Sequence, residues 1–89
     1  MKINTLRNIH KFFNQYTVAF DIDDTVGGKI FDTYYVVVRK PNHYELYIEH
    51  HEGVLFKART QKAIIEELDK IIFETDYVQK YSDKKIKGE

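Results

Sequence analysis

Apolar residues recur along this chain with two different periods, and the switch between the periods separates helices from strands. Ile3, Leu6, Ile9 and Phe13 lie three or four apart. That spacing predicts a helix over about residues 5–14, with Asn4 or Thr5 as its N-cap. From residue 16 the period becomes two: Tyr16, Val18, Phe20 and Ile22 alternate with Thr17, Ala19, Asp21 and Asp23. One polar face on such a run predicts a half-exposed, antiparallel-type strand over 16–23. Residues 24–29, with Gly27-Gly28, read as a loop whose glycines can take positive φ. Residues 30–40 are dense in β-branched and aromatic side chains on both faces and read as the central strand. Pro41-Asn42-His43 is turn chemistry. Residues 44–50 alternate again, with Tyr44, Leu46 and Ile48 expected inward and Glu45, Tyr47 and Glu49 outward. After a turn at His51-Glu52-Gly53, residues 54–58 form a short strand with Val54 and Phe56 inward. Thr60 caps a second helix, in which Ile64, Ile65, Leu68, Ile71 and Ile72 form an apolar stripe. Thr75 or Asp76 caps a last short helix through Tyr81.

The resulting order is α-β-β-β-β-α. The fold class is α+β: one small domain over 1–81, with an N-terminal helix, one or two C-terminal helices, and an antiparallel sheet of four strands, or of three. Residues 82–89 are expected to form a flexible basic tail. This architecture hosts many functions, so it argues for none by itself.

Composition narrows the classes. The chain has 89 residues, 43% hydrophobic and 15% aromatic, enough for a core, but a chain this short buries only a modest share of its surface. It has no cysteine, hence no disulfide framework and no thiolate metal site. No apolar run reaches membrane-spanning length, and Met1-Lys2-Ile3-Asn4 does not begin a signal peptide. A cytoplasmic location is expected. The 14 basic and 14 acidic residues cancel, which leaves little counterion release to drive nucleic-acid binding. The charges are segregated, however. Asp21, Asp23, Asp24 and Asp32 fall close together, and Glu45, Glu49 and Glu52 follow. Lys80, Lys84, Lys85 and Lys87 make the end of the chain basic. Segregated charge suits a surface that recognises a charged partner.

Three sets of residues could carry chemistry. Val18-Ala19-Phe20-Asp21-Ile22-Asp23-Asp24-Thr25-Val26 resembles the first motif of the haloacid dehalogenase superfamily. The resemblance implies Asp21 as a phosphate-attacking nucleophile, Asp23 as acid/base and a bridging magnesium ion. The superfamily core is a doubly wound parallel sheet, whose crossover helices need more chain than this, and its central strand is apolar on both faces. The half-polar run at 16–23 fits an antiparallel strand better, and Asp-rich residues before Gly27-Gly28 also suit an ordinary hairpin. Glu49-His50-His51-Glu52 offers metal-ligand types, but adjacent strand residues point to opposite faces and no second cluster accompanies them. No metal or other cofactor is expected. The seven tyrosines are the third set. Tyr35, Tyr47, Tyr77 and Tyr81 are expected at exposed or edge positions and Tyr16, Tyr34 and Tyr44 in the core. Tyrosine supplies contact area with a polar tip and suits interfaces. Beside Arg39, Lys57 and Arg59 it could also stack on unpaired bases.

A second resemblance covers the first quarter of the chain. Met1-Lys2-Ile3-Asn4-Thr5-Leu6, Lys11, Tyr16-Thr17-Val18 and the Asp-bearing segment after them look like the start of small phage-encoded anti-CRISPR proteins. Those proteins inhibit type II RNA-guided nucleases by mimicking DNA with acidic loops, and they are strongly acidic where this chain is neutral. The expectation is a non-enzymatic inhibitor, encoded by a phage or mobile element, that binds a larger protein with a basic surface. An RNA-guided nuclease is one candidate partner, and self-association is compatible with the sequence. Its binding residues would be Asp21, Asp23, Asp24 and Asp32 around the first hairpin, with Tyr35, Glu45, Tyr47 and Glu49 on the outer sheet face; no catalytic residue is expected. The alternatives are a magnesium-dependent phosphatase using Asp21 and Asp23, and a single-stranded nucleic-acid-binding module using sheet tyrosines.

Overall fold

A computed structural model describes the backbone of residues 6–88 and the side chains of residues 6–74. Helix α1 (Arg7–Asn14) is followed by strands β1 (Phe20–Ile22), β2 (Thr25–Ile30), β3 (Thr33–Arg39), β4 (Tyr44–Ile48) and β5 (Phe56–Ala58), then by helix α2 (Gln61–Gly88). Each strand pairs antiparallel with the next, so the sheet is a meander of order β1-β2-β3-β4-β5. Short connections and a period-two pattern produce this topology directly. The α+β class and the central position of β3 follow the sequence pattern.

The strand boundaries do not all follow it. The sheet has five strands, because the expected loop at 24–29 is β2 and only residues 20–22 of the run 16–23 are strand. Gly27 and Gly28 are strand residues that allow close approach, not turn residues. A Cβ at Gly27 would lie 2.4 Å from the carbonyl oxygen of Tyr35 and 2.9 Å from the Phe20 ring. One at Gly28 would lie 2.7 Å from the Thr17 methyl and 3.7 Å from Phe13. Glycine inside a strand here marks a place where neighbours come too near for a side chain. The expected strand 30–40 is split by a two-residue turn at Phe31-Asp32, and the strand 54–58 shrinks to 56–58. Helix α2 passes through Thr75 and Asp76 without a break. Asn4, Thr5 and the side chains of Tyr77, Tyr81 and the expected tail at 82–89 lie outside the described residues.

Both helices pack on one face of the sheet. Helix α1 rests on β2 and α2, and α2 rests on β4 and β5. The core between them consists of Ile9, Phe12 and Phe13 from α1, Ile64, Leu68 and Ile72 from α2, and Val26, Ile30, Tyr35, Val37 and Leu46 from the sheet. The stripe predicted for the second helix is therefore its buried face, with Ile65 and Ile71 packed at its flanks. Thr60 caps α2 as expected, its Oγ1 accepting from the Ala63 N–H at 3.1 Å. At α1 the N-cap residue, Leu6, has no capping side chain. Gln61 Oε1 instead accepts from the N–H groups of Asn8 at 2.9 Å and Ile9 at 3.2 Å. The first residue of α2 thus satisfies two of the amides that α1 leaves without a helical partner.

Candidate functional site

The face of the sheet away from the helices is open among the described residues. Residues directly opposite in a ladder share a face, so the register defines its rows. Phe20, Gly27, Val36 and Tyr47 form one row. Ile22, Thr25, Val38, Glu45 and Lys57 form a second. Lys29 and Tyr34 belong to a third. Ile22 is 62% exposed and Tyr34 48%, and Phe20 is also exposed, while Val36, Val38 and Tyr47 are half-buried by neighbours on their own face. Val18, just before β1, is 91% exposed.

Two expectations reverse here. The apolar members of the run at 16–23 point outward: Tyr16, Val18, Phe20 and Ile22 are all exposed. On β3 the assignment of the two tyrosines exchanges. Tyr35, expected on the outer face, is buried in the core at 2% exposure, and Tyr34, expected in the core, faces out. The cause is the Phe31-Asp32 turn, which ends β2 and restarts the alternation at Thr33. Tyr44 does face the core, in the row of Arg39 and Ala58.

Around that turn the aromatics are continuous. Phe12 and Tyr16 have ring centroids 5.5 Å apart, and Tyr16 and Phe31 meet edge to face at 6.3 Å. Lys29 Nζ lies 5.9 Å from the Tyr34 ring centroid, within cation–π range. Phe31 has φ 59°, the left-handed region, and its ring is half exposed. For a side chain with a Cβ this conformation costs about 1–2 kcal/mol. Neither burial nor a required turn geometry accounts for a large aromatic at that position, where glycine would be easier.

The carboxylates expected to act together are divided. Asp21, Asp23 and Asp24 are exposed at the β1–β2 turn, whereas Asp32 is in the β2–β3 turn at the other end of β2, about 20 Å away by strand rise. Asp24 Oδ1 accepts from Arg39 Nη2 at 3.0 Å, and the Arg39 N–H donates to the Asp24 carbonyl at 2.8 Å, so this residue closes the turn onto β3. Asp21, Asp23 and Asp32 have no ion pair among the described residues. Asp23 takes φ 53°, which Asp tolerates better than most residues. The strand that ends in Asp21 and Asp23 is an antiparallel edge strand, not the central parallel strand that the dehalogenase resemblance implies.

Glu45 is on the outer face as expected, but it is buried at 8% exposure and is not a free carboxylate. His43 Nε2 lies 2.8 Å from its Oε2, and Tyr47 donates its hydroxyl to Oε1 at 2.7 Å. Glu45 and Tyr47 lie two apart on β4, and His43 stands just before the strand, two residues from Glu45, so the three side chains meet on one face. The His43 hydrogen bond, then that of Tyr47, holds the Glu45 carboxyl below its ordinary range, and the same bond to Glu45 raises the Tyr47 phenol. Glu49 Oε1 accepts from the Tyr34 N–H at 3.2 Å, and its Oε2 pairs with His50 at 3.2 Å. Glu45 and Glu49 therefore organise the outer face more than they decorate it.

Of the exposed residues Phe20, Ile22, Tyr34 and Phe31, sequence reasoning assigned Tyr34 to the core and did not single out the others as surface residues. Their one legible signal was an apolar alternation beginning beside acidic residues, which identifies a strand but not the direction its apolar side faces. No helix among the described residues is long and apolar enough to cross a membrane. Compared with protein families, with curated proteins and with solved structures, the chain matches none.

Proposed function

We propose that this chain is a non-enzymatic protein-binding module that docks its open sheet face and aromatic turn on a larger protein and blocks it. The carrying observation is the group Phe20, Ile22 and Tyr34, exposed on the sheet face that neither helix covers, with Phe31 exposed at the β2–β3 turn beside it. Fully burying side chains of this size is worth about 1.5–3 kcal/mol each, so a partner that covers them gains substantially. Asp23 and Asp32, neither of them ion-paired among the described residues, stand in the turns at the two ends of β2, and Asp21 is exposed on the edge strand β1. The partner this chemistry fits has an apolar centre with basic groups around it. The resemblance to anti-CRISPR inhibitors supplies the form of the action: blockade of a bacterial protein, an RNA-guided nuclease among the candidates, by a phage or mobile-element product in the host cytoplasm.

The same aromatics, with Lys29 over Tyr34, also suit the stacking of unpaired bases. Carboxylates at both ends of the face and a net charge of zero weigh against that second reading.

A photo-crosslinking amino acid at Phe31 separates the two readings. In cells that naturally make this protein it should yield one discrete protein adduct, whereas the same probe at the exposed α2 residue Glu66 yields none. The paired substitution Ile22→Ser with Phe31→Gly should abolish copurification of that adduct's partner at unchanged helical content. Nuclease-sensitive adducts would favour the nucleic-acid reading. Equal labelling from both positions would remove the open face as the site.

A further inference from the structure

The end of the sheet at the β3–β4 turn carries a separate feature. Arg39, Lys40, Asn42, His43 and Arg59 line a shallow cleft of about 410 Å³. It continues, past Asn42, His43 and Arg59, into a second of about 380 Å³ reached by Lys57. Residues 39–43 and 57–59 are distant in sequence and meet because β3 turns at Pro41-Asn42 and β5 then pairs with β4. The cleft is strongly unbalanced in charge. Lys40, Lys57 and Arg59 form no ion pair among the described residues. The two carboxylates nearest by sequence register are both engaged, Asp24 by Arg39 and Glu45 by His43 and Tyr47. Arg39 uses Nη2 for Asp24, while its Nε–H is buried and has no acceptor among the described residues. A donor left in that state is costly, and an anion in the cleft would relieve the field around it.

We propose that this cleft binds the polyphosphate group of a small ligand. Three unpaired permanent cations call for a multiply charged anion, since a single carboxylate would neutralise only one. Guanidinium forks and lysine ammonium groups are the side chains that hold phosphoryl oxygens well. The cleft's shallowness suits a phosphate chain lying across it rather than an enclosed apolar molecule. A nucleic-acid strand fits less well. Asp24 stands beside Arg39 at the β1–β2 turn, next to Asp23 in sequence, where a backbone leaving the cleft for the open face would meet them. The site uses none of the residues proposed for protein docking, so either can fail without the other.

The test is titration of the ¹⁵N-labelled full chain with sodium pyrophosphate, followed by amide NMR shifts. Saturable shifts should centre on residues 39–44 and 57–59 and weaken as salt rises. Replacing Lys57 and Arg59 together by Gln should weaken binding about tenfold or more while the core amide shifts stay in place. Adenosine triphosphate distinguishes the source: affinity equal to that of pyrophosphate assigns the site to the phosphate chain alone, and tighter binding extends it to a nucleotide. Absence of saturation, shifts centred elsewhere, or an unaffected double variant would overturn the proposal. So would a single-stranded oligonucleotide that binds more tightly than pyrophosphate and moves Phe20 and Tyr34 as well.

Discussion

The two faces of the sheet draw on the same strands, residue by alternate residue, yet their chemistry diverges. The covered face collects Val26, Val37, Leu46 and Phe56 into one row beneath α1 and α2. The open face collects Ile22, Thr25, Val38, Glu45 and Lys57 one residue further along the same strands. From β2 to β5 the covered row is uniformly apolar and its central members lose all exposure, while its β1 member, Asp21, is an exposed edge residue. The open row mixes apolar, hydroxylic and charged groups, and its members shield one another only partly. A side chain's contribution to stability should therefore depend less on its hydrophobicity than on which face receives it.

The largest expected effect tests that statement. Leu46→Ala removes a fully buried side chain between β3, β5 and α2 and should cost about 2–5 kcal/mol in chemical denaturation. Ile22→Ser removes a side chain of equal size from the open face and should change stability by no more than about 0.5 kcal/mol. If Ile22→Ser costs as much as Leu46→Ala, the open face is not open, and the docking surface proposed on it is lost.

The same contrast explains what the sequence could reveal. On β4 one face was polar and the other apolar, so Tyr44, Leu46 and Ile48 could be assigned inward, and α2 showed its buried stripe for the same reason. On β3 Tyr34, Val36 and Val38 alternate with Tyr35 and Val37, and both sets are apolar. Periodicity then gives a strand with no indication of which set is inward, and the tyrosines were exchanged. The run at 16–23 misled in the opposite sense, because its apolar side is the one exposed to water. Burial is decided by where a helix lands, and that is a tertiary fact. Gly27-Gly28 read as a loop because local preference cannot register a neighbour's carbonyl. Of the expected site residues, Asp21, Asp23 and Asp32 were correctly placed at the surface. The roles of Asp24 and Glu49 depended on Arg39 and a Tyr34 amide that only the ladder brings near, and Glu45 is held by His43 and Tyr47, its neighbours two residues away on the same side of the strand.

A smaller effect should come from the point where the two faces constrain one strand. Gly27 lies under the Phe20 ring on the open side, and a Cβ there would also meet the Tyr35 carbonyl at 2.4 Å. Backbone cannot yield as a flexible side chain does, so Gly27→Ala should cost about 1–3 kcal/mol through strand displacement. Gly53 is the control. It has φ 84° but nothing within 4 Å, so alanine there bears only the backbone cost, about 1–2 kcal/mol. Amide exchange should separate the two: Gly27→Ala should speed exchange at the β1–β2 pairing, and Gly53→Ala should leave that pairing unaltered.

The smallest effect concerns the one buried carboxylate of the open face. Glu45 is held below its ordinary value of 4.5 chiefly by His43, then by Tyr47, with Lys40 adding attraction and burial opposing. Lys57 stands across from it on β5. A carboxyl whose folded value is depressed adds stability that is fully present above the unfolded value and is lost as pH falls through the folded one. Glu45→Gln keeps an acceptor for Tyr47 but removes the charge. At neutral pH the wild type should be the more stable, and its advantage over the variant should shrink steadily as the pH falls below 4.5. At high pH the complementary limb belongs to Tyr47, whose phenol is raised above its ordinary 10.0 by donating to Glu45. Its contribution is present below that value and disappears as pH rises through the folded one. Melting curves of the two proteins across the acid range decide the matter. A gap that stays constant with pH would mean that the His43–Glu45–Tyr47 alignment does not favour the ionised carboxylate. The open face would then owe its order to Val36 and Val38 rather than to its polar row.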